Sequence, residues 1–213
     1  MWESFSIIVP SVLSFILGGI ALYYKYKKDD AEEDLKDLED DLKYDVNIRL
    51  EDASKLQSLI TELMKNTKVD RFLMFIAENG GKAPLTFTSA ILETHKNNMY
   101  FMLSVGATNR YVKYRFDEPY RKQLQYIEST KSGAYIEVST MDPCDLKEIY
   151  KSENVKHSSI WFHKRQILSE EKHVIIYSSF ATHNEVAFTP KEKSMINLVA
   201  NQLSSLNITI SKC

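Results

Sequence analysis

Residues 157–182 read HSSIWFHKRQILSEEKHVIIYSSFAT. Two runs rich in Ile, Val, Trp, Phe and Tyr are joined through the acidic turn Ser169–Glu171, the pattern of an antiparallel hairpin. A helix opened by Thr189-Pro190 follows, with Met195, Leu198, Val199, Gln202 and Leu203 along one face. Upstream lie two shorter helices. Asp117 or Glu118 with Pro119 starts one, carrying Tyr120, Leu124 and Ile127 on a single face, with Gly133 as its stop. Asp142-Pro143 starts the other, with Leu146, Ile149 and Tyr150 at helical spacing, and AYIEVS between them reads as a short strand. Earlier still, VDRFLMFIAE (69–78) and TFTSAILETH (86–95) pair across Asn79-Gly80-Gly81, and MYFMLSV (99–105) is a third strand closed by Gly106. Helix, three strands, two helices, a strand or two, hairpin, helix: this order predicts an α+β domain with one antiparallel sheet flanked by helices, over residues 67–213.

At the other end, residues 4–24 (SFSIIVPSVLSFILGGIALYY) carry no charge. At about 1.5 Å per helical residue they match the roughly 30 Å of a bilayer core. A cleaved signal peptide would need basic residues before the run and a small-residue cleavage site after it. Trp2 and Glu3 stand before it instead, and tyrosines and lysines follow. Lys25, Lys27 and Lys28 place the C-terminal side in the cytoplasm, and Trp2, Tyr23 and Tyr24 lie at the headgroup levels. Residues 1–28 are therefore expected to be a single-pass membrane anchor with a basic flank.

Between anchor and domain, residues 29–66 contain neither Gly nor Pro, and residues 29–43 hold nine acids against two lysines. Apolar residues recur at Leu35, Leu38, Leu42, Val46, Leu50, Ala53, Leu56, Ile60 and Leu63. That average spacing of 3.5 is the period of a left-handed coiled coil, so the segment is expected to be a stalk holding a parallel homodimer. For its second half a single amphipathic helix packed on the following domain fits equally well, because Leu59 and Met64 widen the apolar face.

The whole chain has 213 residues, 44% of them hydrophobic and 26% charged, with a formal net charge of −2, close to the average of a globular domain. Residues 67–213 carry 19 basic and 15 acidic side chains, too even a balance for nucleic-acid binding. The two cysteines, Cys144 and Cys213, form neither a disulfide framework nor a zinc motif.

The element order resembles that of a GAF domain, and the residue-level likeness lies at the two ends. VDRFLMFIAENGG is similar to the family's first strand and turn. HSSIWFHKRQIL, KHVIIYSSFA, AFTPKEK and LVANQLSSL are similar to its last hairpin and closing helix. A proline and a glycine often found in the family's last two strands are replaced here by His163 and Ile175–Ile176. The chain also resembles short single-pass membrane proteins with a GAF-like domain and an NGG turn, some carried by tailed phages. The resemblance implies a PAS-like architecture, small-molecule binding or dimerisation, and a separate output module. No kinase, cyclase, phosphodiesterase or DNA-binding motif follows, so a signal would leave through the stalk or a partner protein.

The expected pocket is the sheet face beneath the middle helices together with residues 107–118, ATNRYVKYRFDE. Tyr111, Tyr114 and Phe116 alternate there with Arg110, Lys113 and Arg115, as in a site for an anionic planar ligand. Period-two alternation is also what an edge strand produces, with rings inward and charges outward. Tyr126, Trp161 and His163 complete the candidate ligand-binding set, with the cofactor unknown. His95, His157, His163, His173 and His183 have no metal-ligand spacing, and no nucleophile, base and orienting group occur together, so neither a metal site nor an enzyme is expected. Two functions remain open: a membrane-anchored sensory or regulatory domain that binds a small molecule or a partner protein, or a ligand-free membrane-tethered scaffold. An apolar cavity would favour the first, a collapsed polar one the second.

Overall fold

The computed structural model describes residues 44–79, 85–101, 103–104, 107, 111–112, 114–115, 117–170 and 172–212. The expected membrane span, the acidic part of the stalk, the Asn-Gly-Gly turn after Asn79 and Phe116 lie outside the described residues. Among the described residues, no helix is long and apolar enough to cross a membrane.

The elements in chain order are β1 (Tyr44–Ile48), α1 (Leu50–Asn66), β2 (Arg71–Asn79), β3 (Leu85–His95), β4 (Tyr114–Arg115), α2 (Glu118–Thr130), β5 (Gly133–Glu137), α3 (Asp145–Ser152), β6 (His157–Ile167), β7 (His173–Thr182), α4 (Pro190–Ser204) and β8 (Ile208–Lys212). Six strands form one antiparallel sheet in the order β4-β3-β2-β7-β6-β5, and β1 pairs with β8 in a second, two-stranded one. The α+β architecture and both hairpins are as the sequence predicts.

Strand β2 shows why the sheet sits in the middle. Successive strand residues point to opposite faces. Phe72, Met74 and Ile76 join one core with Leu56, Ile60 and Leu63 of α1 and Ile196, Val199 and Leu203 of α4. Leu73, Phe75 and Ala77 join a second core with Tyr120, Leu124 and Ile127 of α2 and Leu146 and Tyr150 of α3. A strand covered on both faces reads as a continuous apolar run, which is what FLMFIA is.

Local chemistry fixes the helix ends. The Asp117 carboxylate accepts the Tyr120 N–H at 3.0 Å to cap α2, whose Pro119 needs no donor in the first turn. Thr189 and Glu192 form a reciprocal capping box at the start of α4. The stop of α2 is Lys131, in the left-handed conformation at φ 47°, rather than Gly133. Gly133 has a different role. It pairs with Trp161 across β5 and β6, and a Cβ there would run into the indole ring.

Three expectations change. Residues 44–48 form a strand instead of stalk helix: Val46 and Ile48 alternate with polar residues, meet Ile210 and Ile208 of β8, and pack on the core. The helix at 50–66 packs on its own domain, so Leu56, Ile60 and Leu63, the positions a partner helix would need, are already buried within the chain. This is the amphipathic-helix alternative rather than the coiled coil. Finally, the described residues of the expected strand 99–105, namely 99–101 and 103–104, are not in a strand. Met99, Phe101 and Leu103 pack against the α1–α4 core, while Ser104 N–H and Ala107 N–H reach the carbonyls of Ile91 and Ala90; the third strand of this region is instead β4, beside Phe87 and Thr88.

Candidate functional site

On the α2–α3 face, tyrosines fill the space over the sheet. Tyr177 stacks on Phe75 with ring centroids 5.0 Å apart, and Tyr111 meets Phe75 edge-on at 5.4 Å. A buried phenol needs a hydrogen-bond partner. Tyr177 Oη lies 2.6 Å from Thr88 Oγ1 and 2.9 Å from Tyr120 Oη, and Tyr150 donates to Ser158 Oγ, which in turn contacts Ser179 Oγ. Burial raises the pKa of Tyr120, Tyr150 and Tyr177 above that of a free phenol, so these hydroxyls stay protonated and act as hydrogen-bond donors rather than bases.

A charged cluster borders them. Arg71, its side chain 5% exposed, pairs with Glu93 at 2.7 Å and in bidentate fashion with Glu153, whose side chain is 3% exposed. Tyr111 donates to Glu153 Oε1 at 2.6 Å, and the Arg71 guanidinium stands over the Tyr111 ring at 5.8 Å. Burial would lower the Arg71 pKa, but Glu153, together with Tyr111 and Glu93, outweighs it, and the guanidinium is held firmly charged. Burial and the bond to Glu153 raise the Tyr111 pKa.

Glu153 is the residue that ends α3, and Asp117 meets the beginning of the same helix. Its Oδ1 caps α2, while its Oδ2 accepts the Asp145 N–H of α3 at 2.8 Å. Helix α3 is thus pinned at both termini, and between it, α2 and β5 lies a cleft of about 330 Å3. Pro119, Tyr120, Gln123, Ile136, Met141 and Leu146 form its walls, and Thr140, Asp142 and Cys144 complete the lining. The Tyr120 ring is shared between cleft and core, because its hydroxyl touches Tyr177.

The sequence-predicted residues do not converge here. Tyr111 is buried in the charged cluster, and Tyr114 is half-buried in the short edge strand β4, as the alternation of an edge strand requires. Burial, then Asp145 and Asp117, raise the Tyr114 phenol. Phe116 lies outside the described residues. Tyr126 is 55% exposed on α2. Trp161 belongs to the opposite core, its Nε1 donating to Ser159 Oγ at 2.7 Å. His163 occupies a β-bulge between Ser178 Oγ at 2.8 Å and Ser204 Oγ at 2.9 Å, where burial pushes its pKa down to about 3 and keeps it neutral. What sequence reasoning missed is Arg71, Glu93 and Glu153, which are far apart in the chain, and the second role of Asp117. Tyr120 and Tyr150 are legible only as apolar helix positions. Among the described residues, no three His, Cys, Asp or Glu side chains could hold a metal ion.

No family model matches the chain, and no curated protein does. Similar solved structures include the GAF domain of a two-component sensor histidine kinase from Bacillus halodurans, at 12% identity over 74% of this chain and 92% of that one, with a TM-score of 0.46. A red/green cyanobacteriochrome in its red-light-absorbing state is 14% identical over 72% and 92%, with a TM-score of 0.47. The phycoerythrobilin-bound GAF domain of a cyanobacterial phytochrome is 15% identical over 73% and 84%, with a TM-score of 0.45. The GAF-like description of this chain rests on the order and pairing of its elements.

Proposed function

We propose that residues 44–213 act as a GAF-like sensory or regulatory domain that takes a small molecule in the α2–α3 cleft and catalyses no reaction of its own, with residues 4–24 tethering it to a membrane on the cytoplasmic side. The observation that carries this reading is Tyr120, which forms a wall of the cleft and shares a hydrogen bond with Tyr177 in the sheet core. Occupancy of the cleft would reposition α2 against α3, and through Tyr120 would reach β7. The cleft is at the small end of the range for ligand sites, so the molecule is compact. A ligand-free scaffold is the second reading, favoured by the tyrosines that fill the sheet face beside the cleft.

The test is native mass spectrometry of the full chain purified in mild detergent, compared with Leu146→Trp, which fills the cleft. A co-purifying compound present in the first and lost in the second supports the sensor. A folded protein without any such compound, binding a protein partner equally well in both forms, would move the assignment to the scaffold. Resistance of the full chain to alkaline extraction from membranes tests the tether, and ready release would refute it.

A further inference from the structure

Resting on the cleft reading above, we infer that the α2–α3 cleft selects neutral or cationic ligands and refuses those that lead with a phosphate or carboxylate. Two helices begin at its mouth, and such termini ordinarily seat anions, because their first N–H groups point outward unpaired. Here that seat is taken. The single Asp117 carboxylate accepts from Tyr120 N of α2 through one oxygen and from Asp145 N of α3 through the other. An incoming anion would have to expel a covalently tethered one and give up both bonds.

The lining adds to this. Asp142 is the charged side chain among the described lining residues, and Asp117, bonded to the Asp145 N–H, caps the two helix starts whose residues Tyr120 and Leu146 line the cleft. Of the neighbouring cations, Arg121 donates to Leu85 O and pairs with Glu118, and Lys122 lies 3.9 Å from Glu118, while Lys147 Nζ, at the edge of the lining, is held by the Met141 carbonyl. Against the walls of Pro119, Tyr120, Ile136 and Leu146, the chemistry that fits is a compact apolar or aromatic body with a neutral or amine head. The Gln123 amide is available to a polar edge, Thr140 Oγ1, which donates to Glu137 O at 3.0 Å, can still accept there, and Asp142 can meet the amine.

Cys144 lines the same cleft and reports its potential directly. In the full chain carrying Cys213→Ser, the rates of modification by a trimethylammonium-ethyl methanethiosulfonate and by its sulfonato-ethyl counterpart are compared with those of free 2-mercaptoethanol. Both reagents attack the same thiolate, so its pKa cancels from their ratio. The cationic reagent is expected to be favoured at Cys144 by about five- to tenfold over the free thiol, and Asp142→Asn should bring that preference back toward the free-thiol value. Inorganic phosphate at millimolar concentration should leave both rates unchanged. A ratio equal to or below that of the free thiol, or protection of Cys144 by phosphate, overturns the inference while leaving the cleft intact as a site. If neither reagent reaches Cys144 in the folded protein but both do in urea, the cleft is closed, and the site reading falls together with the inference.

Discussion

Glu153→Gln should be the most informative single change in the domain, because it removes one charge from the Arg71 cluster while keeping the shape. The side chains of Arg71 and Glu153 are 5% and 3% exposed, so neither can exchange its partner for bulk water. Breaking a buried ion pair costs about 3–5 kcal/mol when nothing replaces the lost partner. Arg71 retains Glu93, whose side chain is 19% exposed, and a glutamine oxygen can still accept from Tyr111. Those two compensations bring the expected loss below that range, to about 2–3 kcal/mol, or roughly 5–10 °C in Tm for a domain of this size. The assay is urea unfolding of a fragment beginning at residue 44, which contains both cores, followed by the fluorescence of Trp161, the one tryptophan left in it. Arg71→Met and the double variant complete the cycle. If the cluster acts as a unit, the double variant should be more stable than the sum of the singles predicts, by about 1.5 kcal/mol or more. A Glu153→Gln protein within about 0.5 kcal/mol of the parent, or strictly additive effects, would refute the view that Glu153 pins α3 to the sheet.

Three further outcomes are expected. His163 is held neutral down to about pH 3, whereas in the unfolded chain it takes a proton near pH 6.5. Its contribution is therefore complete above that pH and is lost as pH falls, with an upper limit of about 1.4 kcal/mol per pH unit. His163→Asn should flatten the stability profile between pH 6.5 and 5, and an unchanged slope would show that the imidazole protonates in place. Gly133→Ala should force the Trp161 indole aside at a cost of about 1–3 kcal/mol, with a shift in its emission maximum, since the new Cβ occupies ring space; an unshifted spectrum would count against that contact. Thr189→Ala removes the hydroxyl half of the capping box and should cost about 1–2 kcal/mol in urea unfolding. A loss smaller than the scatter between preparations would mean that the Glu192 carboxylate, which also accepts the N–H groups of Thr189 and Lys68, caps α4 without it.

Which parts of this molecule were legible follows from which forces are local. The capped helices, the two hairpins and the two-faced strand β2 are written in short runs, because N-caps, turn residues and period-two burial involve neighbours in sequence. The candidate site depends on pairings between distant residues. Arg71 and Glu153 are separated by 82 positions, and no local pattern marks either as the other's partner. Asp117 reads as a helix cap, and it is one, but that it also holds the next helix depends on how α3 returns to α2. The aromatic and basic alternation at 110–116 was the visible signal. It marks edge strand β4 and a buried Tyr111, because alternation reports that one face of a strand is covered without reporting what covers it.

The stalk shows the same limit in numbers. A straight helix drifts by about 20° per heptad relative to a 3.5-residue repeat. Over the 17 residues of α1 the two periods therefore diverge by only about 50°, which is well inside the apolar stripe, about 100° wide, that an amphipathic helix presents to a core. Leu56, Ile60 and Leu63 satisfy either description, and what decides between them is the competing surface within reach. Val199, Ala200 and Leu203 of α4 provide one inside the same chain. Burial against them requires no second protomer, so it persists at any concentration, whereas a dimer seam on the same residues would first have to strip α1 from its own core.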